Sequence, residues 1–291
     1  MERGVKSADA MTRGTDTTPT GPREPGVIIL YIGMQSSHAV ETLVARLEAA
    51  PVLVLLLDYD GTLVPFAPTP ELAEPDDDLI CLLRGLATRP CTEVHIVSGR
   101  TCETLERWLG TLPIGLHAEH GLSSRALGTA RWMTATLPPQ DWRPTVVALM
   151  RAFAARTPGA LIEEKGAGVA WHYRLADPEL GRVQARALER ELDLLVGDAP
   201  VEILSGAKVV EVLALGVHKG RVVRSVVARA PAGALLVAIG DDRTDEDLFA
   251  ALPQGALGVH VGPEPTRASI CLAGVPEVRA LLRAVAEPPS R

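Results

Sequence analysis

Val52-Leu53-Val54-Leu55-Leu56-Leu57-Asp58-Tyr59-Asp60-Gly61-Thr62-Leu63 joins an apolar run to two closely spaced carboxylates. Its first six residues are apolar and largely β-favouring, as a strand buried on both faces of a parallel sheet requires. Gly61 ends the run. Side chains alternate along an extended chain, so Asp58 and Asp60 share one side, beyond the strand's carboxyl end. In open α/β sheets that crevice is where ligands bind. Two adjacent carboxylates repel unless a cation or a shared proton lies between them, so the pair calls for a metal, a raised pKa, or both. Asp and Gly are also ordinary turn residues, and the flanking pattern must carry the functional reading.

Outward from this strand the chain keeps a β-α-β-α rhythm. Leu79 to Ala87 has helical spacing, and Thr92 to Val97 is an apolar strand ending at Ser98-Gly99-Arg100. Thr101 to Leu109 reads as helix, and Ile114 to Ala118 as a strand ending at Glu119-His120-Gly121. Such alternation implies a parallel sheet with right-handed crossovers. From about Asp141 the pattern changes to helix (Trp142 to Arg156), two strands (Ala160 to Glu164, Gly168 to Arg174), helix (Pro178 to Val196) and two strands (Val201 to Leu204, Lys208 to Leu213). Paired strands with short Gly-containing turns predict an antiparallel sheet with helices on one face. The first rhythm then returns: helix from Lys219 to Ala228, strand from Ala234 to Ile239 ending in Gly240-Asp241-Asp242, and helix from Asp245 to Ala251. The expected fold class is α/β: a doubly wound, Rossmann-like parallel sheet core over 37–139 and 216–291, with an inserted α+β cap over 140–215. Residues 1–36 read as a disordered extension rich in Thr, Gly, Pro and charge, with Met34 as a candidate start.

Composition narrows the function. The formal net charge is -7 in 291 residues, which argues against nucleic acid as a partner. No apolar run reaches the roughly 18–20 residues of a membrane span, and the N-terminal stretch lacks the apolar region of a secretory signal. Cys81, Cys91, Cys102 and Cys271 show no metal-type spacing; buried thiols in a reducing, cytoplasmic compartment are expected.

Four expected strand ends now carry polar groups: Asp58 with Asp60, Ser98 with Arg100, Glu119 with His120, and Asp241 with Asp242 and Asp245. A parallel sheet sets them along one edge. Hard oxygens from Asp58 and Asp241 suit Mg²⁺, Ser98 and nearby loop amides suit a phosphate, and Lys219 supplies a positive charge for the same group.

These residues resemble the haloacid dehalogenase-type phosphatases. More narrowly, Leu57 to Leu63, Ala118-Glu119-His120-Gly121, Ile162-Glu163-Glu164-Lys165-Gly166, His172-Tyr173-Arg174 and Gly240-Asp241-Asp242-Arg243-Thr244-Asp245-Glu246 resemble the trehalose-6-phosphate phosphatases over roughly residues 50 to 285. The resemblance implies hydrolysis of a disaccharide phosphate, trehalose 6-phosphate, as the final step of trehalose biosynthesis. Asp58 would be the nucleophile, forming an aspartyl-phosphate, and Asp60 the general acid and base. Mg²⁺ would be held by Asp58, the Asp60 carbonyl and Asp241, with Asp245 or Asp242 in support, and Ser98 and Lys219 would hold the phosphoryl oxygens. Glu163, Lys165, Arg174 and Glu211 of the cap, with Arg100 and His120 of the core, would contact the substrate. Association with a trehalose-phosphate synthase is a further implication. Phosphatases of other sugar phosphates (sucrose phosphate, glucosyl- or mannosyl-glycerate phosphate), and a non-catalytic regulatory partner of a synthase, are the competing readings. His117 and His218 depart from the family pattern, which more often has Gly and Asn there.

Plainer roles compete at several positions. Ser98 could simply cap a helix, and Glu163 to Lys165 could be a solvated hairpin tip. His95 reads as a satisfied structural histidine, Trp171 as cap packing, and Asp76 to Asp78 as a charge run opening a helix.

Overall fold

The computed structural model of the chain describes residues 30–31 and 37–287. Its strands are β1 (Leu30–Tyr31), β2 (Leu53–Leu57), β3 (Thr92–Val97), β4 (Gly115–Ala118), β5 (Ser123–Arg125), β6 (Trp132–Thr134), β7 (Leu161–Glu164), β8 (Gly168–His172), β9 (Val201–Gly206), β10 (Val209–Ala214), β11 (Leu235–Gly240), β12 (Leu257–Val261) and β13 (Ile270–Leu272). Its helices are α1 (Ser37–Glu48), α2 (Asp77–Thr88), α3 (Cys102–Leu109), α4 (Arg143–Ala155), α5 (Pro178–Val196), α6 (Gly220–Val227), α7 (Glu246–Ala251) and α8 (Val275–Ala286).

The larger sheet runs β1-β13-β12-β11-β2-β3-β4-β5-β6. It is parallel from β1 to β4, and β5 and β6 continue it antiparallel. The wholly buried β2 lies between β11 and β3, where the strand order reverses, the usual place for a ligand crevice. Alternation along β2 feeds two cores. Leu53, Leu55 and Leu57 join Leu83 of α2, Leu105 of α3 and Leu281 of α8, whereas Val54 and Leu56 join Val222 and Val223 of α6 and Leu248 of α7. Hence all five residues of β2 are apolar: both faces are covered.

The smaller sheet, β7-β8-β10-β9, is antiparallel throughout. Helices α4 and α5 cover it around a separate core containing Phe153, Trp171 and Leu188. Trp171 is fully buried, its ring edge-on to Phe153 at 6.5 Å and stacked on Tyr173 at 5.0 Å, which is a packing role. Helix α5 begins where sequence rules place it, with Asp177 accepting from the Leu180 amide at 2.9 Å and Pro178 in the first turn. Asp76 likewise caps α2 through the Leu79 amide at 2.7 Å.

Several expectations need correction. Leu30–Tyr31 pair with β13, so strand structure precedes residue 37; residues 1–29 and 32–36, and with them Met34, lie outside the described residues. Strands β5 and β6, three residues each, extend the sheet where no strand was expected. The thiols are free, but only Cys271 is buried; Cys81 and Cys91 are exposed and Cys102 is half-buried. Thr101, not Ser98, caps α3 through the Thr104 amide. His95 is only half satisfied: its Nδ1 lies 3.1 Å from His117 Nε2, while its own Nε2 is buried without a hydrogen bond.

Burial, then His95 and the Arg229 charge, push His117 down to about 3, so it is neutral at physiological pH. In the unfolded chain a histidine titrates near ~6.5. As pH falls, the unfolded state therefore takes up this proton first, and the stability that is complete above about 6.5 is lost progressively toward the folded value. Denaturant unfolding across this range should give a shallower pH slope for His117→Asn than for the native chain; identical slopes would refute the assignment.

Candidate active site

At the end of β2, Asp58 is buried and its amide donates to Ile239 of β11 at 2.9 Å. The turn that follows needs Gly61: its φ is +83°, and an added Cβ would collide with the Asp241 carboxylate. That close approach brings the ends of β2 and β11 together. Thr62 Oγ1 donates to Asp241 Oδ1 at 3.2 Å, and single carboxylate oxygens of Asp58, Asp241 and Asp245 all lie within 4.8 Å of one another.

Lys219, at the start of α6, is buried with its ammonium between two of these groups. Its Nζ donates to Asp58 Oδ1 at 2.7 Å and to Asp245 Oδ1 at 2.7 Å. Asp245 Oδ2 accepts from the amides of Asp241 and Asp242 at 3.1 and 3.2 Å. Both oxygens of Asp245 are thus engaged by the protein itself. Asp242 takes the Thr244 amide at 2.8 Å and its hydroxyl at 2.7 Å, closing the turn.

Charge in this cluster is unbalanced. Burial drives the Asp58 and Asp245 carboxyls well above their ordinary values. Asp241 is pushed up to about 8, first by burial and then by Asp242 and Asp245. Burial would lower Lys219, but Asp245 and Asp58 overrule it and hold the lysine charged. One ammonium faces four carboxyls, an arrangement that a divalent cation on oxygen ligands would relieve. Asp58 and Asp241 are the residues free to hold one.

The neighbouring strand ends complete the core side. Ser98 is buried after β3 and its Oγ accepts from the Arg100 amide at 3.1 Å. Arg100 clamps Asp60 with two nitrogens, Nε donating to Oδ2 at 2.8 Å, and also donates to the Pro70 carbonyl. After β4, Glu119 and His120 both adopt left-handed backbone, φ 47° and 54°. This turn aims His120 at Glu211, 3.4 Å away, and lets Glu119 Oε2 accept from the Ala167 amide of the smaller sheet at 2.8 Å.

From the smaller sheet, Glu163 and Glu211 flank Ala170 in register and so share a face. Lys165 Nζ donates to Glu211 Oε1 at 2.9 Å and lies 3.8 Å from Glu163, whose Oε2 also meets His172 Nε2 at 2.9 Å. Burial would raise Glu211, but Lys165 and then His120 hold it well below the usual carboxylate range.

The two sheets enclose a cavity of about 150 Å³ lined by Asp58, Asp60, Ser98, Arg100, His120 and Lys219 below and by Glu163, Lys165, Arg174 and Glu211 above. Of the residues given a catalytic, metal-binding or substrate-binding role from sequence, Asp241 and Asp245 do not line it, nor does Glu119, the neighbour of His120. Sequence reasoning gave no role to His172 or Phe66, which also line the cavity. His172 sat inside a quoted motif. Phe66 is an exposed aromatic lying under the Arg174 guanidinium at 4.8 Å, in a Pro-rich loop with no periodic signal. Glu164, by contrast, is the solvated tip, paired with Arg151 at 2.9 Å.

The fold is that of the haloacid dehalogenase-like hydrolases: one from Bacteroides thetaiotaomicron, 15% identical, superposes with a TM-score of 0.57 over 80% of this chain and 99% of that one. The family description for trehalose-phosphatases matches residues 56–270, and the chain belongs to the trehalose-phosphatase family. The C-terminal domain of Candida albicans trehalose-6-phosphate phosphatase, 32% identical, superposes with a TM-score of 0.80 over 85% of this chain and 96% of that one. A bifunctional trehalose-6-phosphate synthase/phosphatase of Thermoproteus tenax is 40% identical over 99% of this chain and 40% of its own length. The UDP-forming alpha,alpha-trehalose-phosphate synthase B of Dictyostelium discoideum is 42% identical over 70% of this chain and 26% of its own. The chain thus spans well under half the length of these curated relatives.

Removing the lysine leaves two buried carboxyls without their cation. Lys219→Ala should lower unfolding stability by about 3–5 kcal/mol, and adding Asp245→Asn should recover part of that loss. A double-mutant cycle by urea denaturation reads the coupling; strict additivity would show that the pair does not interact as described.

Proposed function

We propose that the chain is a Mg²⁺-dependent phosphatase that hydrolyses trehalose 6-phosphate to trehalose and phosphate. One observation carries this reading: Asp58 and Asp60 open onto the same cavity as Glu163, Lys165, Arg174 and Glu211, so a nucleophile and a proton carrier face a polar wall suited to a sugar. Residues 37–139 and 216–291 would form the catalytic core, and 140–215 the cap that selects the substrate.

Asp58, oriented by Lys219, attacks phosphorus and forms an aspartyl-phosphate, splitting one hard displacement into two easier ones. Asp60 protonates the departing sugar oxygen, then takes a proton from the water that hydrolyses the intermediate. Ser98 and Lys219 hold the non-bridging oxygens. Asp58, the Asp60 carbonyl and Asp241 would hold Mg²⁺, which supplies neutralisation of phosphoryl charge when bound. Asp245 serves from behind, fixing Lys219 and the Asp241 loop. Glu163, Lys165 and Glu211 satisfy one another across the cleft, and sugar hydroxyls would take over those hydrogen bonds.

The cavity is smaller than the ~300 Å³ at which small-molecule sites begin. Movement of the cap, or of Arg100 and Arg174 that line the cavity, would make room for a disaccharide phosphate. Withdrawal of Arg100 also releases Asp60 for proton transfer, which links binding to the onset of chemistry.

The free thiols fit a reducing compartment, the cytoplasm. Relatives that carry synthase and phosphatase in one chain support association with a trehalose-phosphate synthase. A regulatory role without catalysis has only the fold in its favour: the C-terminal domain of Candida albicans trehalose synthase regulatory protein shares it at 18% identity, TM-score 0.65.

Purified protein should release phosphate from trehalose 6-phosphate faster than from sucrose 6-phosphate or glucose 6-phosphate. EDTA and Asp58→Asn should each abolish release; activity retained in Asp58→Asn would remove the nucleophile assignment. Lys165→Ala should raise KM for the disaccharide phosphate roughly 10- to 100-fold, the loss of one charge-assisted hydrogen bond, and alter an aryl phosphate far less. Equal losses on both would count against a role in sugar recognition.

A further inference from the structure

The cavity between the two sheets has a closed end and an open one. Asp58 is 4% exposed and Lys219 2%, whereas Phe66, on the same lining, is 42% exposed. Phe66 therefore stands at the mouth, on the loop that follows Asp58 and Asp60. A lone exposed phenylalanine means little, because single apolar side chains are common on protein surfaces.

This one is mounted on a fixed support. Pro65, Pro68 and Pro70 set φ along its loop. Before the loop, the Gly61 amide donates to the Val64 carbonyl and Arg279 Nε to the Leu63 carbonyl, each at 2.8 Å. After it, Arg100 donates to the Pro70 carbonyl and the Tyr59 hydroxyl to the Ala73 carbonyl at 2.8 Å. Every one of these anchors belongs to the large-sheet unit. The loop is thus held relative to Asp58 without help from the smaller sheet, and a ring presented on a rigid loop loses little freedom when it binds.

A cation covers the ring. The Arg174 guanidinium lies 4.8 Å from the Phe66 ring centroid and donates to the Ala207 carbonyl, both residues coming from the unit of the smaller sheet. Cation–π contacts at exposed rings are weak, so another occupant of the ring face can displace the arginine. A sugar ring is such an occupant. It carries C–H bonds on its faces and hydroxyls around its edge; the C–H face suits the electron-rich face of Phe66, and the edge is left for Glu163, Lys165 and Glu211.

We propose that Phe66 sets a preference for a disaccharide phosphate over a monosaccharide phosphate. With the phosphoryl group at the closed end, the non-phosphorylated sugar displaces the Arg174 guanidinium and lays its C–H face on the Phe66 ring. A monosaccharide phosphate bound at the same end stops short of the ring. The inference rests on the reading of the cavity as a sugar-phosphate site, and it gives the core loop a share in the selection assigned above to the cap.

The test is calorimetric titration of the full chain, with Mg²⁺ present, against the phosphonate analogues of trehalose 6-phosphate and glucose 6-phosphate, whose C–P bonds resist hydrolysis. The native chain should bind the disaccharide phosphonate more tightly. Phe66→Ala should weaken that binding about tenfold, Phe66→Leu should do the same because it keeps the apolar bulk without the flat face, and Phe66→Tyr should restore it. Affinity for the glucose phosphonate should be alike in all four proteins. In turnover assays the loss in Phe66→Ala should fall on KM for the disaccharide phosphate and leave kcat in place. Equal losses on both phosphonates would make the Phe66–Arg174 contact a mere latch between the sheets and overturn the inference, as would native-like binding in Phe66→Leu or a native chain with no preference. A preference that depends on Phe66 in a chain that does not hydrolyse trehalose 6-phosphate would uphold the inference and remove the proposed reaction; hydrolysis with a preference untouched in Phe66→Ala would do the reverse.

Discussion

The ammonium of Lys219 between Asp58 and Asp245 is the contact on which the rest of the site depends. Burying three ionisable groups together carries a desolvation penalty that only close geometry offsets. The two 2.7 Å bonds meet that demand, and Asp245 is itself fixed by two backbone amides. The same contact dictates topology. Lys219 must arrive beneath the ends of β2 and β11, and it does so on the residue just before α6, as the chain returns from the smaller sheet. Val217, two residues earlier, is still part of that unit's apolar core. The cavity wall that the smaller sheet contributes and the ammonium beside Asp58 are thus joined by a very short length of backbone.

A second set of charges crosses the cleft. His172, Glu163, Lys165, Glu211 and His120 form a chain of contacts between 2.9 and 3.8 Å that begins in the smaller sheet and ends in the larger. These groups satisfy one another, as buried polar groups must. In the proposed reaction, sugar hydroxyls would replace links in that chain, because carboxylates accept and ammonium donates in several directions.

Much of this was legible in the sequence where one physical signal dominated. The six-residue apolar run gave β2, and the helical span from Pro178 to Val196 gave α5, because burial on two faces and helical periodicity leave clear marks. Strand ends gave Asp58, Ser98, His120 and Asp241. What could not be read was short or non-local. Strands β5 and β6 are three residues each and owe their state to pairing with β4. The resemblance placed Asp245 in support of a metal; that its Oδ1 accepts from Lys219 and its Oδ2 from the Asp241 and Asp242 amides is something sequence spacing does not reveal. Phe66 and the reach of Glu119 to the Ala167 amide depend on which loops the fold brings together.

Glu119 and His120 are two consecutive residues with side chains in the left-handed region. That conformation disfavours L-residues by roughly 1–2 kcal/mol each, and glycine would occupy it freely. Selection for robustness alone would have put glycine at both positions. The chain instead forgoes that stability to point one carboxylate at a neighbouring backbone and one imidazole into the cleft. Variants screened only for thermal tolerance would therefore drift toward glycine at this turn and surrender the joint between the sheets, a place where hardiness and competence pull the sequence in opposite directions.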